Sequence, residues 1–358
     1  MRVGILSYPM LFERDGGLQV QVRETVRALN RLPAEHAVHA ELADPVHMRL
    51  AHFDVVHVFA AINGNHRIIE AATEAGVPTV LSPLVSPGWT RTTGVRARVA
   101  DRVLGNLTRW NVQSSYAQMR SALEQANRVI ALGDEERRAI EEAFLVDVTK
   151  VRVLPNGISH QFFGAAPSLF RERTGLRGPF VLMVASISPY KNQLGLAEAL
   201  SELALPLVLI GEAQERDQSY LQALRKVRGV VCMGPIAHTD PLLASAYAAA
   251  SVFALPSQGE VAPLSVMEAL AAGTPVVMTD QSALHLVDDA FAITRVRWND
   301  NAAQQRAVLA HVEAPPERAR VRALVQDYTW ERVAMQLAGL YRELLGQPAA
   351  SERARDAV

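Results

Sequence analysis

Ala254-Leu-Pro-Ser-Gln-Gly-Glu260-Val-Ala-Pro-Leu-Ser-Val-Met-Glu268-Ala-Leu-Ala-Ala-Gly273-Thr-Pro-Val-Val277 is the stretch whose reading decides the fold. It reads as a short apolar strand, a turn carrying one carboxylate, a helix with a second carboxylate on its first turn, a glycine stop and another strand. In an open parallel α/β sheet the ligand crevice lies beyond the carboxyl ends of the strands, and a helix amino terminus there offers N–H groups and partial positive charge to anions. Glu260 and Glu268 border that anion site, so the chemistry suits a ligand with hydroxyls beside phosphates, as in a nucleotide sugar. The ordinary alternative is that Ser265 and Glu268 form a capping box, which stabilises a helix by roughly 0.5 to 2 kcal/mol.

Outward from this stretch, apolar strands and helices alternate along most of the chain, which predicts doubly wound parallel sheets. Val3–Ser7 reads as the first strand, and Gly16 and Gly17 precede an amphipathic helix through Val20, Val22, Val26 and Leu29. A glycine pair there permits close backbone approach to a phosphate or sugar, and is also an ordinary turn. Phe53–Phe59 is a buried strand opening into the polar Asn63-Gly-Asn65-His66, assigned to the acceptor side by the crevice rule; His57 reads as a packed strand residue. Further strands are expected at 76–82, 126–132, from Phe180, at 207–211 and 230–236. After Thr279 the pattern loosens until an amphipathic helix running to Leu345.

The chain has 358 residues, enough for two domains with separate cores, and a net charge of -1, which argues against nucleic acid as a partner. Its one cysteine, Cys232, cannot form an internal disulfide, which fits a reducing, cytoplasmic compartment. Neither a bilayer-spanning run nor a signal peptide is legible. Between Trp89 and Arg120, Arg91, Arg96, Arg98, Arg102, Arg109 and Arg120 face one acid, Asp101, interleaved with Val95, Val99, Val103, Leu104, Leu107 and Trp110. That spacing suits peripheral contact of residues 89–120 with an anionic membrane face or a lipid-phosphate acceptor; it equally suits a helix packed on its own domain with a solvated basic face.

Pro256-Ser-x-x-Glu260, followed after seven residues by Glu268-Ala-x-Ala-x-Gly273-x-Pro-Val-Val277, resembles the signature of retaining glycosyltransferases of the family 4 type (glycosyl transferases group 1). Asn156-Gly157, Lys191-Asn192 and the closing Thr329-Trp330-Glu331 extend the resemblance. It implies the GT-B fold, two doubly wound Rossmann-like α/β domains with parallel sheets facing a central cleft. The expected division is 1–164 for an acceptor-side domain, 165–330 for a nucleotide-sugar domain, 331–346 for a helix returning to the first domain, and 347–358 for a disordered tail.

By the same resemblance the reaction is transfer of a sugar from a UDP- or GDP-sugar to the hydroxyl of a glycan or lipid-linked acceptor, with retention of configuration and without a catalytic metal or other cofactor. Glu260 would sit by the donor sugar, and Lys191 with the N–H groups around Leu264 would stabilise the departing diphosphate. Glu268 would hold the ribose hydroxyls. Gly16, Gly17, Ser186, Gly211, Val261 and Ala262 would line the donor site, and the backbone near Ile236 would meet the base. Three positions depart from the family pattern: Leu84 stands where a histidine contacts the sugar, Ser186 where an arginine grips the diphosphate, and Val261-Ala262-Pro263 where Gly-Phe-Gly is usual. Pro263 has no N–H to give a phosphate. These departures also fit a GT-B-like protein that binds a sugar nucleotide or a partner without transfer. The chain contains no Asp-x-Asp metal motif and no full Gly-x-Gly-x-x-Gly, which disfavours a metal-bound diphosphate and a nicotinamide enzyme. Two spaced carboxylates also suit glycoside hydrolysis, but the nucleotide-type domain favours transfer.

Overall fold

The computed structural model describes residues 1–13, 16–44, 47–86, 88–108 and 114–347. The chain folds into two compact units, one of Met1–Arg14, Leu18–Gly157 and the segment from Trp330 onward, the other holding Ile158–Thr329. It leaves the first unit after Gly157, earlier than the expected boundary at 164, and re-enters it at Trp330.

The first unit is built from strands β1 (Arg2–Leu6), β2 (His39–Leu42), β3 (Val55–Phe59), β4 (Thr79–Ser82), β5 (Arg128–Ala131) and β6 (Val151–Val153). They form one sheet in the order β2-β1-β3-β4-β5-β6, parallel throughout. Helices α1 (Gly17–Asn30), α2 (His66–Glu74), α3 (Arg91–Thr108), α4 (Ser115–Gln125) and α5 (Asp134–Phe144) connect them. The central strands are largely apolar because a parallel sheet is covered on both faces, with His57 in β3 and Thr79 and Ser82 at the ends of β4 as buried exceptions. Val55, Val56 and Val58 are fully buried. The basic stretch forms two helices, α3 and α4, and Arg109 and Trp110 lie outside the described residues.

The second unit begins with α6 (His160–Phe163) and α7 (Ser168–Thr174). It continues through β7 (Val181–Val184), α8 (Gln193–Leu200), β8 (Leu207–Ile210), α9 (Gln218–Leu224), β9 (Val230–Gly234), α10 (Pro241–Ala249) and β10 (Val252–Leu255). It ends with α11 (Leu264–Ala271), β11 (Val276–Thr279), β12 (Ile293–Val296), α12 (Asn301–Glu313) and α13 (Arg318–Ala323). The sheet order is β12-β11-β10-β7-β8-β9, again all parallel. From β7 the chain winds outward through β8 and β9, then returns to β10 on the other side of β7 and winds the opposite way. The carboxyl ends of β7 and β10 therefore flank the topological switch point, where a loop from each strand opens a crevice.

Helix α14 (Trp330–Leu344) closes the first unit. Trp330, Val333, Ala334, Leu337, Ala338 and Tyr341 recur at helical spacing and are buried, each large side chain contributing about 1.5 to 3 kcal/mol of burial. The Tyr341 hydroxyl lies 2.7 Å from His57 Nδ1 on β3, and Ser82 Oγ lies 3.0 Å from His57 Nε2. Full burial pushes the His57 pKa down to about 3, so the imidazole is neutral at ordinary pH. Packing is close where the chain crosses between units: a Cβ on Gly157 would come within 2.6 Å of the Trp330 backbone.

Two edge strands were not legible from apolar runs. In β2, His-Ala-Glu-Leu carries two polar residues, and in β12, Ile-Thr-Arg-Val, Thr294 and Arg295 are half-buried. Edge strands bury less, so their sequence signal fades. The residues of the tail from 348 onward lie outside the described set.

Candidate active site

The loop after β7 runs through Ser186 to a short turn at Pro189–Lys191, and Asn192 then takes a left-handed conformation (φ 58°) to start α8. Asparagine tolerates this region because its short polar side chain bonds locally; here the Asn192 side-chain amide donates to the Trp298 carbonyl. Gln193, fully buried, donates to the Ser186 carbonyl at 2.8 Å and so fixes the loop's backbone. Ser186 itself is exposed.

The loop after β10 meets this one. Lys191 Nζ donates to Glu260 Oε1 at 2.6 Å, with side chains 21% and 11% exposed, so this pair is shielded from water more than a surface ion pair is. Tyr190 accepts the Gln258 N–H on its carbonyl at 2.9 Å and donates its hydroxyl to the Gly259 carbonyl at 2.9 Å. Burial, with the Glu260 charge second, pushes the Tyr190 phenol above its usual range, so it remains a donor at neutral pH. Glu260 is held from behind as well: its N–H donates to the Gln281 carbonyl at 2.8 Å and its carbonyl accepts from Ala283 at 3.1 Å. Val261 and Ala262 are half-buried and lead into α11, which Pro263 precedes and buried Leu264 begins. Ser257 is fully buried, and its hydroxyl has no hydrogen-bond partner among the described residues.

Glu268 does not cap its helix. The residue before α11 is Pro263, which has no N–H to receive a capping glutamate, and no side chain caps this terminus. Glu268 lies five residues into α11, buried at 5% exposure, where Oε1 accepts from His238 Nε2 at 2.8 Å and Oε2 from the Tyr247 hydroxyl at 2.8 Å. Tyr247 is fully buried on α10, and burial followed by the Glu268 charge raises its pKa well above the usual range. His238 follows β9 in the half-buried loop that also carries Ile236; its carbonyl accepts from Gln161 at 2.6 Å and its ring lies 5.4 Å from that of Phe162. The two carboxylates thus differ in setting, Glu260 held by a lysine and Glu268 by a histidine and a tyrosine.

Gly211 ends β8 at φ +150°, and a Cβ there would collide with the Ala185 carbonyl, so close packing of β8 on the end of β7 demands glycine. Gly16 and Gly17 stand at the start of α1 with open space around them, in a different part of the chain from the cluster above. Leu84 follows β4 in a left-handed conformation (φ 58°). The adjoining Val85 N–H donates to Glu136 Oε1 at 2.7 Å while Leu132 N–H donates to Oε2 at 2.7 Å. Burial raises the Glu136 pKa to about 7 against the pull of these bonds. Neither Tyr190 nor His238, Tyr247 or Glu136 is singled out by sequence. Among the described residues no three His, Cys, Asp or Glu side chains stand together as a metal site.

Residues 178–313 match the family model described as Glycosyl transferases group 1, in line with the resemblance drawn from the sequence. The D-inositol 3-phosphate glycosyltransferase of Kineococcus radiotolerans is 28% identical over 267 residues, 65% of this chain and 61% of its own length. The enzyme of the same name from Geodermatophilus obscurus is 27% identical over 326 residues, 85% of this chain and 69% of that one. The alignment thus spans less than two thirds of the Kineococcus relative. Among solved structures, Anabaena Alr3699/HepE in complex with UDP superposes with a TM-score of 0.71 at 17% identity, covering 96% of this chain and 100% of that one. The fold is GT-B.

Proposed function

We propose that this chain, which carries a glycosyl transferases group 1 segment on a GT-B fold, transfers a sugar from a nucleoside diphosphate donor to an acceptor hydroxyl. The observation that carries this reading is the Lys191–Glu260 pair at the switch point, placed just before the amino terminus of α11. In the proposed reaction the bond between the anomeric carbon and the diphosphate breaks with its electron pair on the diphosphate. The acceptor oxygen then bonds the same carbon on the same face while its proton passes to the departing diphosphate oxygen, giving retention. Lys191 and the first N–H groups of α11 supply fixed positive charge where negative charge develops, and Glu260 orients the sugar. On this reading no metal is needed, since the lysine and the helix terminus hold the diphosphate. Glu268 receives the ribose hydroxyls, displacing or sharing the His238 bond.

The UDP held by the Anabaena neighbour and the inositol phosphate named for the Kineococcus and Geodermatophilus relatives support a nucleoside diphosphate sugar, UDP- or GDP-linked, as donor and a polyol, glycan or lipid-linked hydroxyl as acceptor. A cytoplasmic enzyme working at the inner membrane face is the setting we propose. Its docking element is α3, whose Val95, Val99, Val103 and Leu107 are 48%, 61%, 54% and 78% exposed in a stripe beside exposed Arg96 and Arg102. No helix among the described residues is long and apolar enough to cross a membrane. Flotation with anionic phosphatidylglycerol vesicles should carry the protein upward; a protein left at the bottom removes the membrane contact.

A second reading, a sugar-nucleotide binder without transfer, is favoured by exposed Ser186, by Pro263 ahead of α11 and by Leu84. A thermal-shift panel of UDP- and GDP-sugars, followed by donor-hydrolysis assays, separates the two. Saturation at 100 times Kd should stabilise the fold by about 2.7 kcal/mol. Release of the nucleoside diphosphate supports transfer, binding without release under any acceptor supports the second reading, and no shift with any donor refutes both.

A further inference from the structure

We infer that Tyr190 is a positioning residue of the donor site, its hydroxyl latching the loop after β10 to the loop after β7 so that Glu260 stays seated on Lys191. The inference rests on the donor-site reading above and goes beyond it, because Tyr190 belongs to no part of the motif that identified the site.

Two consecutive residues of the β7 loop grip three consecutive residues of the β10 loop. The Tyr190 carbonyl takes the Gln258 N–H, its hydroxyl gives to the Gly259 carbonyl, and Lys191 gives to Glu260. Of these three contacts only the hydroxyl bond is neutral and made by a side chain, so it survives when an anionic ligand competes for Lys191. The glycine partner fits this role: a Cβ on Gly259 would stand 3.2 Å from the Tyr190 oxygen, closer than ordinary packing allows. A diphosphate drawn to Lys191 would weaken its bond to Glu260, and the carboxylate would then swing unless its backbone were fixed. The backbone is fixed on one side by Gln281 and Ala283 and on the other by Tyr190. Tyr190 is 48% exposed, so its ring contributes little to the core and the hydroxyl can be removed without opening a cavity.

The experiment compares the full-length protein with Y190F, using UDP, GDP, UDP-glucose and GDP-mannose as probes. Hydrogen exchange without ligand, over a peptide covering 257–263, should quicken about tenfold in Y190F, as expected for loss of one hydrogen bond of roughly 1 to 1.5 kcal/mol. The affinity for the bare nucleoside diphosphate should hold within about twofold, while kcat for donor-sugar cleavage falls about tenfold or more, the signature of lost orientation rather than lost binding. Unchanged exchange and unchanged kcat overturn the latch. A lowered melting temperature with exchange quickened evenly across the second unit also overturns it, since that marks a general structural role. Quickened exchange confined to 257–263 in a protein that binds none of the four probes upholds the latch and refutes the transferase reading.

Discussion

Glu268 holds both of its oxygens in bonds with protein donors, one from half-buried His238 and one from fully buried Tyr247. Removing the carboxylate therefore has two effects that must be separated. Glu268→Ala leaves the Tyr247 hydroxyl buried without an acceptor, a loss of about 1 to 3 kcal/mol of stability, and also removes the ribose acceptor. Glu268→Gln keeps an amide oxygen for Tyr247 but surrenders the charge. We expect Glu268→Gln to melt within a few degrees of the wild type while donor affinity, read by calorimetry, weakens by about 2 kcal/mol. Equal affinity in a folded Glu268→Gln protein would assign Glu268 to packing alone. The sequence displayed the two glutamates and their spacing, because that spacing is set along one strand-turn-helix unit. It could not display His238 and Tyr247, which reach Glu268 from other elements, 30 and 21 positions away.

At the scale of elements, local pattern decided most of what was readable. The central strands are mostly apolar, and Asn192 and Gly211 stand where the loops of the second sheet demand a special backbone. The capping reading of Ser265–Glu268 failed because a helix start depends on the residue before it, and that residue is a proline. The division between the two units was expected near 164 and lies at Gly157, for a related reason. Ile158 bonds the Tyr328 carbonyl at 2.8 Å and Gly157 packs against Trp330, so the two crossing strands of chain are fastened side by side by residues far apart in sequence. Gly157→Ala tests that fastening directly. Its new methyl would meet the backbone of Trp330 at 2.6 Å, which cannot yield as a flexible side chain would. A loss of about 1 to 3 kcal/mol in urea unfolding is expected, with faster exchange in the first turn of α14; an unchanged midpoint would show that the crossing is loose.

For the molecule as a whole, two buried groups of the first unit shape stability against pH in opposite senses. His57, depressed to about 3, contributes stability that is complete above 6.5 and lost as pH falls toward 3. Glu136, raised from 4.5 to about 7, contributes stability that is complete below 4.5 and lost as pH rises through 7. Between about 4.5 and 6.5 folding takes one proton off His57 and places one on Glu136, so the slopes of these two groups cancel and the pair contributes a plateau. Below 4.5 the His57 contribution is no longer offset by Glu136 and falls by about 1.4 kcal/mol for each pH unit. Chemical unfolding of His57→Gln should remove the plateau and gain stability relative to the wild type as pH drops from 6.5 to 4.5. Parallel curves for the two proteins would contradict the depressed His57. The pairing was invisible in sequence, where His57 is one polar letter in an apolar strand and Glu136 one acid in a run of three.

Helix α14 belongs to the unit that begins the chain, yet 158–329 stand between them in sequence. On the ribosome the inserted unit emerges whole while its host is still short of its last helix. Until Tyr341 arrives, the Nδ1 side of His57 and the face that Trp330, Val333 and Leu337 cover stay open. The host unit, begun before the inserted one, is thus finished after it, and a nascent chain stalled before Trp330 should display that open face to chaperones.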